Sequence, residues 1–366
     1  MKILLVTRRG IFRGDPGEYF KPEYNGVKTE PCLAGMFGWY WYKALCELGH
    51  EVEPFIFYKG PFLDSFREFN LFIDRLKGRF SVTKKISQRE TNKSLLFKTL
   101  VYKPELILID AGESIYPDTL IEIKQRTKAK IAIWLLDDPE VQNWNNVLNC
   151  LSVYDFLYVF DPDYVSRFKG MGVKSYIEYL PCATDPDVYK TYAISKEEQD
   201  EFNCQLSFVG NITDKRAALF KELKEFDLGI WSWNPWRLKG DVFLRNSYRG
   251  VAWGQKASKI FNASKIVLNS HHPQTLSGVN MKTFEIASSG GFQLVDRTKD
   301  LDNLFKNGSE IICYKNNAEL KELIGYYLTH DMQRQEISKR AQQRACTEHT
   351  YKHRLKRLIS QVEGLR

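Results

Sequence analysis

Short apolar runs rich in β-branched residues recur along this chain, and each is followed by a stretch with the period of an α-helix. Lys2 to Thr7, His50 to Phe57, Glu105 to Asp110, Lys130 to Leu136, Leu157 to Phe160 and Tyr176 to Leu180 form one series. Leu206 to Val209, Leu228 to Trp231, Lys265 to Leu268, Phe292 to Val295 and Ile311 to Tyr314 form another. Strands that are apolar on both faces and alternate with helices pack as parallel sheets covered by helices. The chain is therefore predicted to be α/β and doubly wound in each half. Its 366 residues are long for one domain and comfortable for two. The Pro-rich crossing Pro181-Cys182-Ala183-Thr184-Asp185-Pro186 separates the halves, which gives a first domain over 1–190, a second over 191–348 and a C-terminal helical tail over 349–366.

The stretch from Leu268 to Asp296 reads as one β-loop-α-β unit: a strand end, a polar loop, a short helix from Met281 to Ser288, a Gly pair and a second strand. The helix starts behind Gly278 and Asn280, so its free N–H groups and positive dipole end face the loop, where an anionic group is held. Lys282 and Thr283 lie in its first turn and Glu285 follows. A cation for a diphosphate and a carboxylate for a ribose diol suit a sugar nucleotide. An isolated Glu285 would otherwise be an ordinary surface side chain.

Asn280, Lys282, Phe284, Glu285, Ala287, Gly290, Gly291, Leu294 and Asp296 together resemble the donor-binding half of two-domain glycosyltransferases of the GT-B fold, and within them the CgeB-like (spore-maturation) group. The phrase SFVGN-x(4)-R, with Gly210, Asn211 and Arg216, resembles the same group, as does the opening run ALCELGHEVEPF. Many relatives carry Arg where this chain has Lys282. The wider retaining families carry a spaced pair of glutamates; here the second falls on Glu285 and the first on Ser277, so the usual mark of retention is missing. The resemblance implies a GT-B architecture with a cleft between two Rossmann-like domains, a hinge near the Pro-rich crossing, and a tail that crosses back onto the first domain. It also implies a nucleotide-diphosphate sugar as co-substrate, guessed to be a UDP-sugar, and no other cofactor.

Transfer of a glycosyl group needs the departing diphosphate stabilised and, if configuration inverts, a base for the acceptor hydroxyl. Gly210, Asn211, Arg216, Lys256, His271, Asn280, Lys282, Thr283 and Glu285 are the expected donor-binding residues. Asp137, Asp138 and Glu113, at the ends of predicted strands, are the expected catalytic acids. Asp138 is favoured because W-x(2)-D-D-P resembles an acidic-Pro turn of the CgeB-like group, while Asp-Pro is equally an ordinary turn. His271 and His272 are adjacent, and either is readily a structural histidine. No His and Cys spacing suits a metal, and Asp161-Pro162-Asp163 is the nearest approach to a metal-binding acidic triplet, so no metal is expected. The loop WSWNPW, after Leu228 to Trp231, offers rings for stacking or for packing.

Seven scattered cysteines without a C-x-x-C pair argue for reduced thiols. The opening MKILLVTRRG is too short in its apolar run for a signal peptide, and no window reaches the roughly 20 apolar residues of a membrane span. Cytoplasmic residence is the resulting expectation. A net charge of +8 points to an anionic partner: nucleotide phosphates, a glycan acceptor, DNA or a peripheral membrane contact. A GT-B-shaped epimerase or phosphorylase, and a nucleic-acid protein without catalysis, are the other function classes open at this stage, and oligomeric state is not legible.

Overall fold

The structure, a computed structural model, describes residues 1–8, 23–24, 27–28, 37–57, 81–110 and 112–364. Most of the expected ligand loop at 8–26, together with Cys32 and the expected helix start at 33–36, lies outside the described residues.

Two compact units form. Unit 1 comprises Met1–Phe160, Tyr164–Leu180 and Leu355–Arg366; unit 2 comprises Asp161–Asp163 and Pro181–Arg354. The main division falls at Pro181, where the Pro-rich crossing begins. The physical reason is that residues 181–190 fasten to unit 2, where Ser258 Oγ donates to the Lys190 carbonyl and Ser288 Oγ to that of Tyr189.

In unit 1 the strands are β1 (Lys2–Arg8), β4 (Glu51–Phe57), β5 (Leu106–Ile109), β6 (Lys130–Leu135), β7 (Phe156–Val159) and β8 (Tyr176–Tyr179). They form one parallel sheet in the order β4-β1-β5-β6-β7-β8. A two-residue pair, β2 (Glu23–Tyr24) with β3 (Val27–Lys28), stands apart from it. Every residue of β5 and β7 is buried, as expected for strands covered on both faces. Trp41, on the helix Phe37–Glu47, stacks on Trp134 of β6 at 4.7 Å. That helix ends at Gly49, whose φ of +84° is the left-handed cap its sequence predicts. A helix over Ser81–Tyr102 was not anticipated. Its run KKISQRETNKS is polar, and on its central turns only Asn92, Leu95 and Thr99 are turned fully inward.

In unit 2 the strands are β9 (Leu206–Val209), β10 (Leu228–Trp231), β11 (Tyr248–Gly250), β12 (Ile266–Asn269), β13 (Gln293–Asp296) and β14 (Ile312–Tyr314). The order β11-β10-β9-β12-β13-β14 is again all parallel. The chain winds outward from β9 in one direction, then restarts at β12 in the other. That reversal leaves a crevice at the carboxyl ends of β9 and β12, where open α/β sheets bind ligands. The described cysteines are free thiols, and among the described residues no helix is long and apolar enough to cross a membrane.

Candidate functional site at the switch point of the second sheet

β9 runs into Gly210 and Asn211, and the helix Asp214–Lys221 then starts with Thr213 as its N-cap. Arg216, in the first turn, lies back over the sheet and is only 7% exposed. Its Nη1 donates to the Asn211 carbonyl at 2.6 Å, and its Nε and Nη2 donate to the Ser270 carbonyl, the former at 3.0 Å. The guanidinium therefore ties the loop after β9 to the loop after β12. Among the described residues it forms no ion pair, and burial lowers its pKa to about 10. A buried guanidinium held by carbonyl groups, with the nearby Asp296 charge already shared by Lys215 and His271, is well placed for an anion.

The end of β12 carries the second element. His271 is 3% exposed; its Nδ1 lies 2.6 Å from Asp296 Oδ1, at the end of β13, and its backbone N–H donates to the same oxygen at 2.7 Å. Lys215 Nζ holds the other oxygen of Asp296 at 2.7 Å. Burial pushes the Asp296 carboxyl up, but the His271 hydrogen bond and charge, with Lys215, outweigh it and keep the group ionised well below the usual carboxylate range. With Nδ1 held by a carboxylate, the ring is fixed in orientation and its Nε2 has no hydrogen-bond partner among the described residues. This nitrogen offers a lone pair from the neutral ring and a proton from the charged one.

The helix Met281–Ser289 supplies the third element. Asn280 is its N-cap, with Oδ1 accepting from Thr283 N at 3.1 Å. Asn280 Nδ2 donates to Asn269 Oδ1, Asn269 Nδ2 donates to Thr283 Oγ1 and to Gln293 Oε1, and Gln293 Nε2 donates to the Thr283 carbonyl. Asn280 and Thr283 thus lock the helix start to β12 and β13. Thr283 is fully buried in this network, so its expected contact with a donor gives way to a positioning role. Glu285, 1% exposed, pairs with Lys282 of the same helix face. Gly290 ends the helix at φ +78°, where a side chain is strained.

The loop before this helix is held from inside unit 2 by a residue given no functional part in the sequence reading. Asp161 Oδ2 accepts from the backbone N–H groups of Leu276, Ser277 and Gly278 at 2.8, 3.0 and 2.8 Å, and Oδ1 from Ser277 Oγ at 3.0 Å. Three successive amides on one carboxylate make an anion-binding nest. Asp161 fills it with the chain's own charge. Ser277 is thereby a hydroxyl donor inside this nest.

Lys256 departs from expectation. Its Nζ pairs with Glu201 at 3.1 Å and lies over the Phe202 ring, on the helix Lys196–Phe202, rather than joining Arg216 and His271. The expected base Asp138 is also committed elsewhere. It is buried at the end of β6, where Tyr164 Oη donates to it at 2.7 Å, Arg167 at 3.3 Å and Glu140 N at 2.8 Å. The Asp-Pro pair is here a capped turn. Asp137 and Glu113 are half-buried at the ends of β6 and β5. Trp233 and Trp253 stack at 4.3 Å beyond the ends of β10 and β11. Lys215, Asp296 as a partner for His271, and Asp161 were missed as site residues. The spacing of Asp296 after β13 carried a signal, whereas Asp161 meets its loop only through the fold.

Residues 215–360 match the family described as Glycosyl transferase-like, a span that holds Arg216, His271, Asn280, Lys282, Glu285 and Asp296 but not Asp161, Gly210 or Asn211. No curated protein matches the chain by sequence. Solved structures resemble it over its whole length. The sucrose-phosphate synthase tll1590 of Thermosynechococcus elongatus superposes with a TM-score of 0.68 at 12% identity, covering 100% of both chains. Alr3699/HepE of Anabaena, in complex with UDP and glucose, gives 0.67 at 10% identity, again over 100% of both. AviGT4, a glycosyltransferase involved in avilamycin A biosynthesis, gives 0.58 at 13% identity, over 99% of this chain and 97% of that one. Two parallel six-stranded sheets with helices, arranged as in these structures, are the GT-B fold.

Proposed function

We propose that the protein is a glycosyltransferase that binds a nucleotide-diphosphate sugar at the switch point of the second sheet and passes the sugar to a hydroxyl acceptor. The observation that carries this reading is Arg216, a buried cation that bridges the loops after β9 and β12 and forms no ion pair among the described residues. A diphosphate gives it an ion-pair partner. His271 Nε2, oriented through Asp296, then bonds a donor oxygen, and Lys215 adds positive potential nearby. Glu285 takes the ribose diol once Lys282 turns to the phosphates. Developing charge on the departing diphosphate is met by groups already in place, which is the largest contribution such a site makes to rate.

UDP is the proposed nucleotide, since the fold is shared with a protein crystallised with UDP-glucose. The acceptor, a glycan or a modified DNA base, and the membership of the CgeB-like group are proposals resting on the motif around Glu285. With Asp138 consumed as a turn cap, Glu113 and Asp137 are the acids of unit 1 proposed for an inverting reaction.

The test is a panel of sugar nucleotides incubated with the full chain, with and without glycan or DNA acceptors, following release of nucleoside diphosphate, alongside calorimetry with UDP. Binding of UDP and acceptor-dependent release are expected. Failure to bind any nucleoside diphosphate would remove the reading.

A further inference from the structure

At the amino ends of β5 and β6, on the edge of the first sheet away from Glu113 and Asp137, lies an open cleft of about 620 Å³. Leu100, Lys103, Glu105, Arg126, Lys128 and Lys130 line it. Its single acid, Glu105, accepts from the Lys2 backbone N–H at 2.8 Å, and Arg126 pairs with Glu122. Lys103, Lys128 and Lys130 form no ion pair among the described residues, so the cleft carries uncompensated positive charge. Lys103 also holds φ +51° at the end of the helix Ser81–Tyr102. Glycine is the residue with no steric cost in that conformation, yet a lysine occupies it.

The helix that ends at Lys103 has a second property. Phe97 is 69% exposed and Val101 63%, and they lie one turn apart on the face opposite Leu95 and Thr99, which are buried against unit 1. Leu100, between them in sequence, lines the cleft. A soluble anion would be served by the lysines alone. A cluster of lysines at the end of a helix that presents two outward apolar side chains fits a surface that is anionic at the head groups and apolar just beneath.

We propose that this edge of unit 1 docks on an anionic lipid bilayer, with Phe97 and Val101 entering the head-group boundary and Lys103, Lys128 and Lys130 taking lipid phosphates.

Sedimentation of the full chain with vesicles tests this. Vesicles of phosphatidylcholine mixed with phosphatidylglycerol are expected to carry the protein down, and vesicles of phosphatidylcholine alone to leave it in solution. Exchanging the three lysines together for glutamate should lower partitioning by roughly a hundredfold or more, at about tenfold or somewhat less for each charge removed. Phe97→Ser with Val101→Ser should lower it by roughly tenfold or more. All five side chains are outside the donor site, so release of nucleoside diphosphate in solution and the melting temperature should not change. Absence of wild-type binding, equal binding to both vesicle types, or full binding by the lysine variant would each overturn the proposal. So would vesicle binding abolished by inorganic phosphate but not by chloride at equal ionic strength, which would mark the cleft as a site for free phosphate.

Discussion

Arg216 sets stability against binding at one position. Replacing it with methionine removes a buried charge that carbonyl groups hold and whose acidic neighbour, Asp296, keeps Lys215 and His271 as partners, so the folded protein should keep its stability to within about 1 kcal/mol. Loss of a charge-assisted contact to a diphosphate should meanwhile weaken UDP binding by roughly 100-fold. Calorimetry and thermal melting on Arg216→Met read both, and a large fall in melting temperature would mark the residue as structural. Glu285→Gln tests the ribose contact separately: UDP and a UDP-sugar should lose affinity by a similar factor, roughly tenfold. Asp138→Asn should cost about 1–2 kcal/mol through the turn it caps and leave turnover within a few-fold. A roughly 100-fold loss of turnover at unchanged donor affinity would restore it as a general base. Arg216 and Glu285 could be named as candidates from local motifs, and His271 as one of two adjacent histidines. The fate of Asp138 was not, since Tyr164 and Arg167 reach it from the next helix and the sequence only says that Asp-Pro turns are common. Lys256 misled for a related reason: its position before a helix resembled a phosphate contact, but the acid that claims it, Glu201, is remote in sequence.

At the scale of elements, the short buried strands were the most readable feature, and β9 and β10 fall on the expected residues. The helix Ser81–Tyr102 and the edge strand β11 were not read, because too few of their described side chains are buried to leave a clear apolar period. The joint between the helices Asp331–Glu348 and Tyr351–Gly364 holds a titratable group that the sequence could not place. His349 Nε2 donates to the Leu304 carbonyl at 2.9 Å, and its Nδ1 accepts from Arg354 Nη2 at 2.9 Å. Burial, then the Arg354 charge, lowers its pKa from 6.5 to about 4. The unfolded chain takes up this proton near pH 6.5 and the folded one only near 4, so stability is retained above 6.5 and lost as pH falls from there. Roughly 2 kcal/mol should go between pH 6.5 and 5. Thermal melts across this range should show that slope in the wild type and a flatter one in His349→Gln; equal slopes would dismiss the residue as the sensor.

At the scale of the whole molecule, neither unit is one continuous length of chain. Asp161–Asp163 belong to unit 2 while the residues on either side belong to unit 1, and Leu355–Arg366 return to unit 1 after unit 2 is complete. A fragment spanning 181–354 lacks Asp161, leaving three amides and the Ser277 hydroxyl of the nest without their acceptor. It should melt below the unit 2 transition of the full chain by the equivalent of about 2 kcal/mol or more; equal melting would show that Asp161 contributes nothing.

The late return also fixes an order of events during synthesis. Tyr158 donates to the Leu358 carbonyl, and Arg357 pairs with Glu178, so the first sheet is finished by residues made after the whole of unit 2. At ribosomal speeds of about 5–20 residues per second, roughly ten to forty seconds separate the emergence of Leu180 from that of the closing helix. Throughout that interval Tyr158 and Glu178 wait without these partners, and a nascent chain that has emerged only as far as residue 354 would hold a complete second unit and an unfinished first one.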